Sequence, residues 1–263
     1  MSKINIYQVD TFTDKLFSGN PAAVCILQDW LSDELMQSIS AENNLAETAF
    51  VVPRDNYFEI RWFTPTVEVD LCGHATLAAA FVLFNCLNYS EPEIVFFSTK
   101  SGELKVSLQK DILFLDFPTD VLLKADNFTQ ISNCIGIKPK KIFKGKTDYI
   151  AVVDNEDDVV KINPNLLEIS KLKARGLIVT SKGKEVDFVS RFFAPQSGIN
   201  EDPVTGSAHT SLIPIWSQQL GKEKMFAKQL SKRGGSLICV NKGERSQIGG
   251  NARLYMTGKI NLD

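Results

Sequence analysis

Glu47, His74, Asp202 and Ser207 are the side chains whose types and settings suit proton chemistry, and each stands beside a strand end or a glycine turn. The chain has two histidines, and both follow such turns: Gly73-His74-Ala75-Thr76 in the first half and Gly206-Ser207-Ala208-His209 in the second. The turns end two related passages. Arg61-Trp62-Phe63-Thr64-Pro65 leads through Asp70 to Gly73, and Arg191-Phe192-Phe193-Ala194-Pro195 leads through Asp202 to Gly206. Each passage reads as an aromatic strand stopped by proline, an acidic loop, and a glycine turn that opens an apolar helix. A helix start presents backbone N–H groups and a positive dipole end, so two such starts serving one anionic ligand would make a carboxylate site between two related halves. A duplication kept only for packing gives the same pattern without a site.

Gly73 and Gly206 permit close approach of a ligand to those N–H groups. His74 and Ser207 hold equivalent places and offer an imidazole and a hydroxyl, each able to donate or relay a proton. The helix start disfavours imidazolium and is expected to keep His74 neutral. His209 has no counterpart and reads as a packing residue. Glu47 stands where a helix ends and the apolar run Thr48-Ala49-Phe50 begins. Partial desolvation there favours its protonated form, as a proton shuttle needs, although a solvated loop glutamate fits the spacing too. Asp202 reads as a site group or as the cap of the second apolar helix, and Glu68 and Asp70 share that ambiguity.

The elements that must position these groups are mostly short strands. Alternating or apolar runs lie at 4–9, 22–27, 48–52, 58–63, 94–98, 104–108 and 112–117, the last two forming a hairpin around Lys110-Asp111. The second half repeats the plan, with strands at 141–143, 149–153, 177–180, 186–193, 236–240, 246–248 and 253–257. Surface helices are expected from Ser32, its N-cap, and at 128–134 and 164–172. One helix per half is strongly apolar, 75–87 and 207–219, and the first is rich in alanine, which lets a curled sheet close around it. The fold class is α+β: two β-barrel-like domains, 1–118 and 119–263, each around a central helix.

The 263 residues contain 44% hydrophobic and 23% charged side chains, which fits an ordinary globular protein rather than a disordered or membrane-spanning one. The longest apolar run is about half the roughly 20 residues a membrane span needs. A net charge of -2 gives no broad attraction for nucleic acid or an anionic membrane, so neither is an expected partner. The N-terminal residues read as an amphipathic strand rather than a secretory signal, and a cytoplasmic location is expected. The five cysteines have no CxxC pair and no histidine at zinc spacing, so neither a metal site nor a disulfide frame is expected.

Five motifs in order, Phe17-Ser18-Gly19-Asn20-Pro21, Asn44-Leu45-Ala46-Glu47-Thr48-Ala49-Phe50, Phe63-Thr64-Pro65, Gly73-His74-Ala75-Thr76 and Glu201-Asp202-Pro203-Val204-Thr205-Gly206-Ser207-Ala208, resemble the PhzF-like isomerase family of phenazine biosynthesis. The resemblance implies a diaminopimelate epimerase-like fold and an isomerase without a cofactor. It implies that Glu47 is the general acid/base, with Asp202 and His74 as polar partners. Ser207 and the turns at Gly73 and Gly206 would bind a substrate carboxylate, Asn20 would line the site, and the chain would form a homodimer. The expected activity is proton transfer between carbons of a small carboxylated substrate. Cys72, Pro203 and His209 depart from the phenazine enzyme and bear on substrate identity. Two alternatives stand beside this: an amino-acid epimerase or racemase using Cys72, and a catalytically silent binder of small anions. Racemases of the wider fold oppose two thiols, whereas here Thr205 stands where the second would be, and its hydroxyl is too weak an acid to serve.

Overall fold

The computed structural model describes residues 2–262. In chain order the elements are β1 (Ser2–Thr11), β2 (Asn20–Ile26), α1 (Asp33–Asn43), β3 (Glu47–Pro53), β4 (Phe58–Phe63), β5 (Glu68–Val69), α2 (Gly73–Asn85), β6 (Glu93–Ser98), β7 (Gly102–Gln109) and β8 (Ile112–Pro118). There follow β9 (Leu123–Ala125), α3 (Phe128–Ile135), β10 (Lys141–Lys144), β11 (Asp148–Val152), α4 (Glu156–Lys161), α5 (Leu166–Ser170), β12 (Gly176–Lys182), β13 (Phe188–Phe193), α6 (Gly206–Leu220), β14 (Lys224–Gln229), β15 (Gly235–Asn241), β16 (Arg245–Gly250) and β17 (Ala252–Leu262). The chain divides into two compact units, Met1–Asp116 with Gly249–Asp263, and Phe117–Ile248.

In the first unit β1 pairs antiparallel with β2 and with β17, β2 runs parallel to β3, and β3 pairs antiparallel with β4. The ladder continues from β4 through β6 and β7 to β8. Strand β17 at one end of this ladder and β7, next to the other end, both touch α2, so the sheet curls around that helix. The four alanines of α2 are fully buried and leave the strand backbones room to approach. On the outer face Met36 and Ile39 of α1 pack with Phe50 and Phe63. Ser32 caps α1 by accepting the Leu35 N–H, as its sequence position implies.

The second unit repeats the plan. Strands β9 to β15 form a ladder in which β11 runs parallel to β12 and β13 parallel to β14. Trp216 of α6 stacks on Phe188 at 5.7 Å and donates to Thr180 Oγ1, which seats the helix on β12 and β13. Helices α3, α4 and α5 cover the other face through Ile131, Val159 and Ile169.

The expected division at 119–263 requires a correction. The C-terminal strand leaves the second unit and pairs with β1 from Ser2↔Leu262 to Thr11↔Ala252, because the amphipathic β1 needs a second neighbour. Strand β14 and the short helix α4 were absent from the sequence reading, and the helix expected over 164–172 is confined to α5.

Candidate active site

Glu47 opens β3, and the two-residue alternation of a strand fixes its direction. Phe50 and Val52 pack against α1, so Glu47, Ala49 and Val51 turn to the opposite face, toward α2. In the parallel β2–β3 ladder Ala22 lies opposite Glu47. Ala23 and Cys25 belong to the α1 side, so Asn20 and Ala22 share the face of Glu47. Gly19 makes this entry possible: its φ is +68°, and a Cβ there would lie 2.0 Å from the Thr11 carbonyl oxygen. Asn20 is fully buried, and its carbonyl accepts from Thr11 Oγ1 at 2.9 Å.

The same face receives the first turn of α2. Cys72 is its N-cap but makes no side-chain capping bond; its Sγ lies 3.4 Å from His74 Nδ1. The other ring nitrogen, Nε2, lies 3.2 Å from Glu47 Oε2, off the line of a regular hydrogen bond. Glu47, Cys72 and His74 are all buried. Loss of water lowers the His74 pKa to about 4, with the Pro21 backbone opposing it only in part. His74 is therefore neutral at pH 7, as the sequence suggested, and burial is the main cause. Ligand atoms of Glu47, Cys72 and His74 all lie within 4.8 Å of one another, a sulfur, nitrogen and oxygen set able to hold a metal ion, which sequence spacing did not disclose.

The second turn is built differently. Thr205, not Asp202, is the N-cap of α6, and it makes no side-chain capping bond. Asp202 instead accepts from Thr205 Oγ1 at 2.5 Å. Its expected role as helix cap is thus replaced by a tie to the residue that occupies the cap. Buried Gln229 holds both residues: Nε2 donates to the Asp202 carbonyl at 2.8 Å and Oε1 accepts the Thr205 N–H at 2.8 Å. Ser207 Oγ accepts from Arg175 Nη1 at 3.1 Å. The rest of that guanidinium forks onto buried Asp148, with Nε 3.0 Å from Oδ1 and Nη2 2.5 Å from Oδ2, and lies over the Phe192 ring. An accepted hydrogen bond from a cation leaves the Ser207 hydroxyl proton available to a ligand. His209 is buried, with Nδ1 2.8 Å from the Thr205 carbonyl and its ring beside Phe188, a packing position.

The repeat also resolves Glu68 and Asp70. Arg61 forks onto Glu68 and lies over Phe63; Arg191 forks onto Glu201 and lies over Phe193. Each pair braces the loop before its glycine turn. Glu68 and Glu201 stand equally far before Gly73 and Gly206, so Asp202 is equivalent to Val69 rather than to Asp70. Asp70 is exposed beside Lys100. Phe50 pairs with Arg61 and Val179 with Arg191, so the residue equivalent to Glu47 is Gly176. A Cβ at Gly176 would lie 2.6 Å from the Phe192 ring, which fills the space.

Arg175, Asp148 and Gln229 were absent from the sequence reading. Lys173-Ala174-Arg175-Gly176 looks like a surface turn, and nothing local signals that Arg175 reaches Ser207 32 residues away.

Residues 9–258 match the family model PhzC-PhzF, described as phenazine biosynthesis-like protein. An uncharacterized isomerase of Pseudomonas aeruginosa is 48% identical over 260 residues, spanning 99% of this chain and 100% of its own. An uncharacterized isomerase of Halalkalibacterium halodurans is 44% identical over 260 residues, spanning 98% of each. The crystal structure of a PhzF-family protein from Enterococcus faecalis matches with a TM-score of 0.96 at 44% identity, over 99% of this chain and 100% of that one. The chain belongs to the phenazine biosynthesis-like PhzC-PhzF family and is an enzyme of the isomerase type.

Proposed function

We propose that the enzyme moves a proton between carbons of a small carboxylated substrate without a cofactor, using Glu47 as its single acid/base. The observation that carries this reading is the Glu47–His74 contact, 3.2 Å long, at the uncapped start of α2. The ionised Glu47 takes a proton from a carbon acidified by the neighbouring unsaturation or carboxylate, holds it as the acid, and returns it to another carbon on the same face. Cys72 Sγ lies 3.4 Å from Nδ1, and the other ring nitrogen, Nε2, is the one beside Glu47. The neutral ring lies against the carboxylate without making His74 a competing acid. Asp202, tied to Thr205, is assigned a catalytic role as a polar group of the second unit. Carboxylate-binding roles are assigned to Ser207 and the backbone N–H groups at Gly206 in the second unit, and to Asn20 and the backbone N–H groups at Gly73 in the first.

Gly176 in place of a second glutamate supports a single shuttle over a pair of bases. Amino-acid epimerisation through Cys72 is the second reading, favoured by the position of that thiol beside His74; Thr205 at the matching place speaks against it. A binder of small anions without chemistry is the third. The proposal includes a cytoplasmic homodimer, which gel filtration with light scattering tests by mass. The chemistry is tested by incubating the protein with a panel of small unsaturated carboxylates in heavy water. Deuterium entering a substrate as it isomerises supports the first reading, exchange at an amino-acid stereocentre supports the second, and binding without exchange the third.

A further inference from the structure

We propose that Glu47, Cys72 and His74 form a chelating site for a divalent cation of borderline softness, zinc(II) above all. The three donors are the types zinc prefers, a thiolate, an imidazole nitrogen and a carboxylate oxygen. Among the described residues they are the one group of histidine, cysteine and acidic side chains whose ligand atoms all lie within 4.8 Å of one another. Zinc bonds of about 2.0–2.3 Å at tetrahedral angles place neighbouring ligand atoms roughly 3.3–3.8 Å apart, so closing the set on one ion takes movements of about 1 Å. A second observation points to a ligand. His74 is 6% exposed, and its Nε2 is buried against Glu47 without a regular hydrogen bond. Strand β3 and the first turn of α2 hold the donors on rigid elements, which lowers the ordering cost of binding. Three protein ligands leave a fourth position for water or a substrate carboxylate. On binding, the Cys72 thiol releases its proton to solvent and the thiolate pair bonds to the metal.

The site rests on donor geometry, so it stands or falls apart from the proton-transfer reading, and its test needs no substrate. Chelator-stripped protein is titrated with zinc(II) in competition with a chromophoric chelator. One ion per chain is expected, with affinity falling at least about tenfold in Cys72→Ser and in His74→Gln and unchanged in Cys86→Ser. Cobalt(II) added to the wild type supplies a measurement independent of any variant: a thiolate-to-cobalt charge-transfer band with the intense visible bands of a tetrahedral site is expected. Stoichiometric zinc uptake that survives both Cys72→Ser and His74→Gln, a cobalt spectrum without the thiolate band, or no uptake at all would overturn the proposal.

Discussion

Glu47 Oε2 and His74 Nε2 meet 3.2 Å apart where the first residue of β3 faces the first turn of α2, both shielded from water. Strand alternation aims the carboxylate toward α2, burial keeps the imidazole neutral, and no side-chain hydrogen bond caps the start of α2. The second unit keeps the helix start and replaces the carboxylate with Gly176.

His74→Gln retains a donor but loses the ring that spans Cys72 and Glu47. The expected result is a fall of roughly 10- to 100-fold in the deuterium exchange rate on an accepted carboxylate, with the melting profile retained. An unchanged exchange rate would remove His74 from the site.

Arg175 has two duties that separate experimentally. Ser207→Ala removes the proposed carboxylate donor and is expected to raise KM roughly tenfold with kcat altered only a few-fold. Arg175→Leu also leaves Asp148, 2% exposed, without its counter-charge. Urea unfolding is expected to show a loss of about 3 kcal/mol, reduced when Asp148→Asn is added.

The two histidines make stability depend on acid. Both have folded-state pKa values lowered by burial to about 4, below the unfolded value of about 6.5. As pH falls through 6.5 the unfolded chain takes protons that the folded chain refuses, so stability is lost between pH 6.5 and about 4 and is independent of these groups above that window. Each contributes up to about 3 kcal/mol to the loss. Urea unfolding of His209→Gln at pH 7.5 and pH 4.5 is expected to show a smaller difference between the two than the wild type shows.

Gly19→Ala sets a Cβ against the Thr11 carbonyl at a backbone φ of +68°. A loss of more than about 2 kcal/mol is expected in the same assay, with weaker activity in whatever protein folds, because this turn feeds Asn20 into β2.

Much of this was legible in the sequence because it is local. Alternation in 48–52 places Glu47 at a strand start, the alanines of α2 announce a helix inside a sheet, and the Arg-aromatic-Phe-x-Pro repeat marks the paired braces. What was hidden depends on distance along the chain. Asp202 read as a site group or a cap until Thr205 took the cap, Glu68 shared that ambiguity until Arg61 forked onto it, and Arg175 gave no sign of Ser207. The return of β17 to β1 joins the two ends of the chain, which no local pattern records.

Deuterium transfer by Glu47→Gln measures the central claim most directly. With a carboxylate that the wild type isomerises in heavy water, the variant is expected to fold, to bind the compound with similar affinity, and to lose exchange by at least about 100-fold. Wild-type exchange by folded Glu47→Gln protein would contradict the account.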